Sequence, residues 1–368
     1  MATLGAARVL LPDGTLGPAV IELEDERVAA VHRQPASASL PDRILAPGFV
    51  DLQVNGHQEV DVASADGDQW DRLDAFLVAQ GVTSWCPTLI SGPLADYAAP
   101  LGRIAARATG VAGPAGRPSI VGVHLEGPFL GGALGAHRPD AIAAIDQGWL
   151  AALPPIVRLV TLAPEVPNAL AAVRQLADRG VVVSLGHSTA SYEQAEDAVD
   201  AGARLVTHLF NGMGPLHHRQ PGLVGAALTD DRLTVTLIAD GFHVSPPLLR
   251  LAFRSKGPRR VALITDAVAW AAVGAGAPRL QLIDGVPRLS DGTIAGTALT
   301  MDRAVRVVVA AGVDPATALE AASRVPADLL GLADRGRLTP GARADVIALD
   351  GDLRPVEVWI GGDPVWPA

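Results

Sequence analysis

The feature that most constrains this chain is a repeat of short β-branched runs, each ending in a polar or charged residue and followed by an Ala/Leu-rich stretch of helical period. The runs fall at residues 46–54, 83–87, 120–125, 157–162, 181–186, 204–208, 234–239 and 261–265, with stretches such as 169–179 and 192–201 as intervening helices. Strands that alternate with helices in this way pair in parallel, because each crossover helix returns the chain to the same end of the sheet. Eight such units predict an α/β fold, a closed (β/α)8 TIM-like barrel.

After the eighth run, residues 280–296 place Asp284-Gly285 and Asp291-Gly292 between apolar segments, which predicts a β hairpin or meander inserted above the barrel. Helices are predicted over 300–311 and 315–330. Residues 1–45 alternate apolar and polar around Pro12-Asp13-Gly14, and residues 336–368 do so around Pro340-Gly341 and Gly361-Gly362. The two ends are expected to pair into one small β-sandwich domain, 1–45 with 336–368, leaving 46–335 as the barrel.

Composition narrows the function. With 49% hydrophobic and 18% charged residues the chain buries a large core, which excludes a disordered or nucleic-acid-wrapping protein. A formal net charge of −10 without a basic run leaves no electrostatic footprint for nucleic acid or an anionic membrane, so an anionic substrate must be held by local groups. Cys86 is the sole cysteine, residues 1–11 lack the pattern of a signal peptide, and no apolar run is long enough to span a membrane; a cytoplasmic protein is expected. Lys256 is the sole lysine, which argues against Schiff-base chemistry.

Reactive side chains of such barrels sit at the carboxyl ends of the strands. There the sequence places His124-Leu125-Glu126, Gly186-His187-Ser188, Thr207-His208, Ala239-Asp240 and Thr265-Asp266. A lone buried histidine is ordinarily a hydrogen-bonded core group; so many ionisable residues at successive strand ends argue for a site. Glu126, His187 and His208 supply three ligands to a divalent cation and leave a position for water, the pattern of a catalytic rather than a structural site. Such a cation makes water acidic enough to ionise near neutral pH, and Asp266 suits proton transfer to the departing nitrogen of an amide. His124 is read as structural, and His32 and His57 receive no role.

At these residues the chain resembles the amidohydrolase superfamily, and within it the N-acetylglucosamine-6-phosphate deacetylase family, over essentially its whole length. The resemblance is carried by Ala46-Pro47-Gly48-Phe49-Val50-Asp51, His124-Leu125-Glu126-Gly127-Pro128-Phe129, Gly186-His187-Ser188-Thr189, His208-Leu209-Phe210-Asn211-Gly212-Met213, Ala295-Gly296-Thr297-Ala298-Leu299-Thr300-Met301 and the closing 336–345 segment. It implies that Glu126, His187 and His208 bind the metal and that Asp266 is the general acid/base. It further implies that Asn211, Gly212, Arg219, His243, Ile294, Ala295 and Gly296 contact the sugar or its phosphate, with Ala136 and His137 lining the site. The reaction implied is hydrolysis of the N-acetyl amide of N-acetylglucosamine 6-phosphate, in a homodimer in which Arg219 or His243 reaches a neighbour's site.

Many superfamily members carry His-X-His at the end of the first strand, where this chain has Gln53-Val54-Asn55. One divalent metal ion per subunit is therefore expected, zinc first, although iron, cobalt and manganese suit the same donors. Three departures bear on substrate: Gly131-Gly132-Ala133-Leu134 stands where relatives usually carry a basic residue, Gln220 stands where a glutamate commonly follows the arginine, and residues 267–278 are unlike the usual sequence. They keep open an N-acyl substrate that lacks the phosphate, and a non-catalytic sugar-phosphate sensor stands as the rival from another class.

Overall fold

The computed structural model describes residues 2–108, 116–272 and 280–367, so residues 273–278 of the last departure lie outside it. Eight parallel strands neighbour one another in sequence order: Phe49–Val54, Val82–Ile90, Val123–Glu126, Val157–Leu162, Val182–Leu185, Leu205–Val206, Thr234–Ile238 and Val261–Ile264. They form the expected TIM-like barrel. Every residue of Phe49–Val54 and Val261–Ile264 is buried, as is all of Val82–Ile90 except its last residue, because helices cover the outer face and side chains fill the interior. This is why apolar residues fall on both faces of these runs instead of strictly alternating with polar ones. The predicted run 120–125 is divided, since Ile120 belongs to a two-residue strand, Ser119–Ile120, that pairs off the main path with the second barrel strand.

Helices begin and end where local chemistry says they should. Tyr192–Ala201 opens on a capping box: Ser191 Oγ accepts from the Gln194 amide at 3.2 Å, and the Gln194 side chain accepts from the Ser191 amide at 2.9 Å. The predicted helix 315–330 is two, Pro315–Ala322 and Arg324–Leu329. Ser323 donates its hydroxyl to the Leu319 carbonyl at 2.7 Å, and Pro326 has no amide to continue the ladder. Among the described residues no helix is long and apolar enough to cross a membrane.

The chain ends pair into one seven-stranded mixed sheet, in the order Asp363–Trp366, Pro355–Ile360, Val346–Leu349, Ile44–Pro47, Ala2–Leu10, Leu16–Glu24, Arg27–Arg33. It has its own apolar cluster, with Val9, Ile21, Leu45 and Val346 buried. The predicted strand 46–54 crosses from this sheet into the barrel: Ala46 and Pro47 pair with Ile347 and Val346, whereas Phe49 pairs with Val82. The change of sheet happens at Gly48. A Cβ there would stand 2.1 Å from Thr83 Oγ1, so only glycine lets the chain pass. Asp345 fastens the sheet, accepting from Arg335 Nη1 and Arg343 Nε at 3.0 Å each and from the Gly361 amide at 2.9 Å, all buried. Above the barrel, Gln281–Ile283 and Val286–Arg288 form the expected hairpin around Asp284-Gly285, both in left-handed backbone.

The barrel seam lies between the first and eighth strands. No ladder joins these two strands, and few backbone bonds cross between their ends: the Asp266 amide donates to the Gln53 carbonyl at 3.0 Å, and the Asn55 amide to the Ala267 carbonyl at 2.8 Å. The fully buried Asp51 carboxylate fills the gap, accepting from Thr265 Oγ1 at 2.6 Å and the Thr265 amide at 3.3 Å. Burial pushes this carboxyl up to about 7, with the hydrogen bonds from Thr265 and Gln53 opposing. A group protonated in the folded chain but ionised in the unfolded one costs stability as pH rises through the window between its two pKa values, here 3.8 and about 7. The stability of the parent relative to Asp51→Asn, from denaturant titrations, is therefore expected to fall across that window and level off above it. A pH-independent difference would mean that Asp51 is ionised throughout.

Candidate active site

Four strand ends converge. Glu126 closes the third strand, and His187, His208 and Asp266 each stand two residues beyond the fifth, sixth and eighth, after Gly186, Thr207 and Thr265. All three have positive φ, 49° at His187, 32° at His208 and 50° at Asp266, a backbone that L residues rarely adopt. The left-handed turn stops each strand abruptly and points the side chain into the barrel mouth. His187 Nε2 and His208 Nε2 lie 3.1 and 2.9 Å from Glu126 Oε1 and 3.1 Å from each other.

The ring orientations decide what these atoms can hold. His187 Nδ1 is 3.2 Å from the Ala133 carbonyl, and His208 Nδ1 is 3.1 Å from the Asn211 carbonyl. A carbonyl only accepts, so the Nδ1 proton is committed to it and the Nε2 lone pair is left free. Two such lone pairs and a carboxylate oxygen then converge with no proton between them, which a divalent cation satisfies. Ligand atoms of a tetrahedral zinc stand roughly 3.3 Å apart for bonds of about 2.0 Å, close to the observed separations.

His137 joins the same group. Glu126, His137 and His187 offer ligand atoms within 4.8 Å of one another, yet His137 Nε2 is 3.8 Å from Glu126 Oε2 and its buried Nδ1 has no hydrogen-bond partner. No carbonyl fixes its tautomer, so His208 is the better third donor. Burial pushes His137 down to about 3, leaving a neutral ring at the cavity wall. His124, pushed to about 4 by burial, pairs with Thr161 Oγ1 at 2.8 Å and does not line the cavity, in keeping with a structural role.

Gln53 and Asn55, given no role by the sequence reading, organise the carboxylates. Gln53 Nε2 donates to Glu126 Oε1 and Asp266 Oδ1 at 3.0 Å each, and its Oε1 accepts from Thr207 Oγ1 at 3.0 Å. Asn55 Nδ2 donates to Asp266 Oδ1 at 2.8 Å. Burial, followed by the Glu126 charge, pushes Asp266 up to about 8 against these two amides. A carboxyl poised near neutral pH can take up and release a proton in turn. Asp240, at the end of the seventh strand, accepts from His243 Nδ1 at 2.6 Å and from the amides of Phe242 and His243 at 2.8 Å, which fixes the His243 ring.

Asn55, Glu126, His187, His208 and Asp266 line a cavity of about 440 Å³. Ala136, His137, Asn211, Gly212, His243, Ile294, Ala295 and Gly296, named from sequence, all face it. Arg219 does not. It is exposed, with its amide donating to His217 Nδ1 at 3.3 Å and Nη1 3.0 Å from His218 Nε2. Among the described residues the cavity wall has no arginine or lysine, and Ile90, Leu289 and Ile294 give one side of it an apolar face.

The sequence profile of the amidohydrolase family matches residues 44–365, which fixes the class as a barrel hydrolase with its chemistry at the strand ends. An N-acetylgalactosamine-6-phosphate deacetylase of Escherichia coli is 40% identical over 98% of this chain and 98% of its own. The N-acetylglucosamine-6-phosphate deacetylase of Homo sapiens is 40% identical over 96% of this chain and 90% of its own. A mutant N-acetyl-D-glucosamine-6-phosphate deacetylase from Mycobacterium smegmatis, solved in complex with N-acetyl-D-glucosamine-6-phosphate, superposes with a TM-score of 0.89 at 35% identity, covering 99% of this chain and 98% of that one. The enzyme from Thermotoga maritima gives 0.90 at 30% identity over the whole of both. The chain belongs to the amidohydrolase family and, within it, to the amino-sugar-6-phosphate deacetylases.

Because the Asn55 amide favours the ionised form of Asp266, Asn55→Leu is expected to move the acid limb of the kcat/KM profile to higher pH. An unmoved limb would show that another group sets it.

Proposed function

We propose that the chain hydrolyses the N-acetyl amide of N-acetylglucosamine 6-phosphate, giving glucosamine 6-phosphate and acetate. The observation that carries this is the convergence of two carbonyl-oriented imidazoles on Glu126 with the elevated carboxyl of Asp266 beside them. Glu126, His187 and His208 hold one divalent cation, zinc first, which when bound makes a water molecule acidic enough to ionise near neutral pH. Asp266 accepts the proton of the attacking water and delivers it to the amide nitrogen as the C–N bond breaks, so that the leaving group departs as a neutral amine. Gln53 and Asn55 keep Asp266 facing that path. His243 and Asn211 bind the sugar, and the neutral His137 ring lines the wall beside Glu126.

A single cation fits the absence of a first-strand histidine pair. Lys256 is buried at the end of its helix, donating to the Asp230 carbonyl at 2.6 Å, and is not among the cavity residues, so it does not bridge a second ion. Elemental analysis of the active chain is expected to give one tightly bound ion; two would overturn this assignment.

Arg219 is the phosphate anchor of the proposal, and its place on the outside of its own barrel fits a homodimer in which it reaches a neighbour's cavity. Leu216 and Phe242, half exposed beside Arg219 and His243 in sequence, are the apolar surface that a second copy covers. The Escherichia coli relative favours a second reading, the galactosamine epimer, and the lack of arginine or lysine in the cavity wall among the described residues favours a third, an N-acyl amino sugar without phosphate.

Acetate release from the two 6-phosphates and from N-acetylglucosamine, side by side on zinc-reconstituted enzyme, separates them. A clear preference for N-acetylglucosamine 6-phosphate is expected, and equal or greater activity on either alternative would displace it. Hydrogen bonds to charged groups contribute about 1.5–3 kcal/mol, so Arg219→Ala should raise KM for the phosphorylated sugar by roughly 10- to 100-fold and leave the unphosphorylated one unaffected. Asp266→Asn should lower kcat by a factor on the order of 10² to 10⁴ without changing zinc content.

A further inference from the structure

The fourth barrel strand contributes nothing to the cluster described above, yet three residues beyond its end stands Glu165, in Ala163-Pro164-Glu165. Its carboxylate has no ion-pair partner among the described residues. It accepts from Ser188 Oγ at 2.6 Å, from the Thr189 amide at 2.7 Å, from the Gly132 amide at 3.3 Å and from Thr189 Oγ1 at 3.5 Å. These donors belong to two loops, the one that follows His187 and the one formed by residues 131–137. Glu165 does not line the cavity; it ties the two loops together from behind.

The tie is close. A Cβ on Gly131 would stand 2.0 Å from Glu165 Oε1, and one on Gly132 would stand 2.5 Å from Thr189 Oγ1. The pair Gly131-Gly132 is what lets the loop lie against the carboxylate. The Gly131 amide also donates to the His187 carbonyl at 2.9 Å. One residue further on, the Ala133 carbonyl meets His187 Nδ1, and the same loop ends in Ala136 and His137 at the cavity wall.

We propose that Glu165 is a positioning residue: it seats the 131–137 loop so that the Ala133 carbonyl holds the His187 proton on Nδ1 and leaves Nε2 free as a ligand. This rests on the reading of Glu126, His187 and His208 as metal ligands. Without the carboxylate the loop lifts, Nδ1 loses its acceptor, and a proton on Nε2 opposes the cation. His137 moves with the loop, so the effect extends to substrate.

The test uses the full chain, with zinc as the probe, in the parent, in Glu165→Gln and in Gly131→Ala, which crowds the same contact without removing the carboxylate. Zinc affinity by chelator competition is expected to fall about 10- to 100-fold in both, the range for lost partners of metal-bound histidines. Nitrogen-15 spectra of the metal-free protein are expected to show His187 changing from an Nδ1–H ring to a mixture, with melting temperature little altered. Zinc affinity within twofold of the parent together with an unchanged His187 tautomer would overturn the proposal, and should Glu165→Gln fail to fold, the same two readouts on Gly131→Ala decide it. A parent that holds no zinc would instead remove the metal reading, and the His187 tautomer in the metal-free variants then decides the role of Glu165 by itself.

Discussion

Two imidazole lone pairs and one carboxylate oxygen meet within about 3 Å of one another at the mouth of the barrel, an arrangement that repels itself unless something positive lies between. Much of the surrounding structure keeps that meeting in place. The carbonyls of Ala133 and Asn211 hold the outer ring nitrogens, Gln53 bridges Glu126 to Asp266, and Thr207 turns the Gln53 amide the right way round. The supports come from the first strand and from the loops after the third and sixth, so the cluster is assembled by closing the barrel and has no counterpart in any short segment.

The barrel closes at its weakest seam, and the same seam carries the site. Asp51, Gln53 and Asn55 alternate along one irregular strand. The first fastens Thr265, and the other two reach Asp266, the next residue. Structural and chemical demands therefore fall on adjacent positions. The terminal sheet is joined to that strand through Gly48, and the buried Asp345 carboxylate secures the sheet with two arginines. Removing one partner from such a buried ionic group costs about 3–5 kcal/mol, so the appendage is a fixed part of the fold.

The barrel was legible in the sequence because strands buried on both faces are short, mostly apolar and β-branched runs, and helices between them keep a 3.6-residue period. The limits of that signal are visible at residues 46–54. Two sheets share one apolar run there, and only the contact between Gly48 and Thr83 marks the change. The residues brought together at the strand ends were legible for a related reason, since Glu126, His187, His208 and Asp266 each follow an apolar run with an ionisable group. Gln53, Asn55 and Glu165 were not, and for Asp240 the strand end was marked but not its partner. Their partners are backbone amides or side chains up to 213 residues away, and an amide or a carboxylate near a strand end carries no mark of which distant group it faces. For Arg219 the motif carried no information on direction, and the side chain lies beside His218 outside its own cavity.

The left-handed backbone at His187, His208 and Asp266 has a consequence for how such a chain can change over time. Sparsely populated conformations of this kind cost on the order of 1–3 kcal/mol each, and glycine would relieve the strain at any of the three positions while abolishing what the side chain does there. Selection for heat resistance alone would thus push these three positions toward glycine, and only continued demand for the chemistry keeps the side chains in place. Drift toward a more robust, silent barrel would begin at the centre of the site.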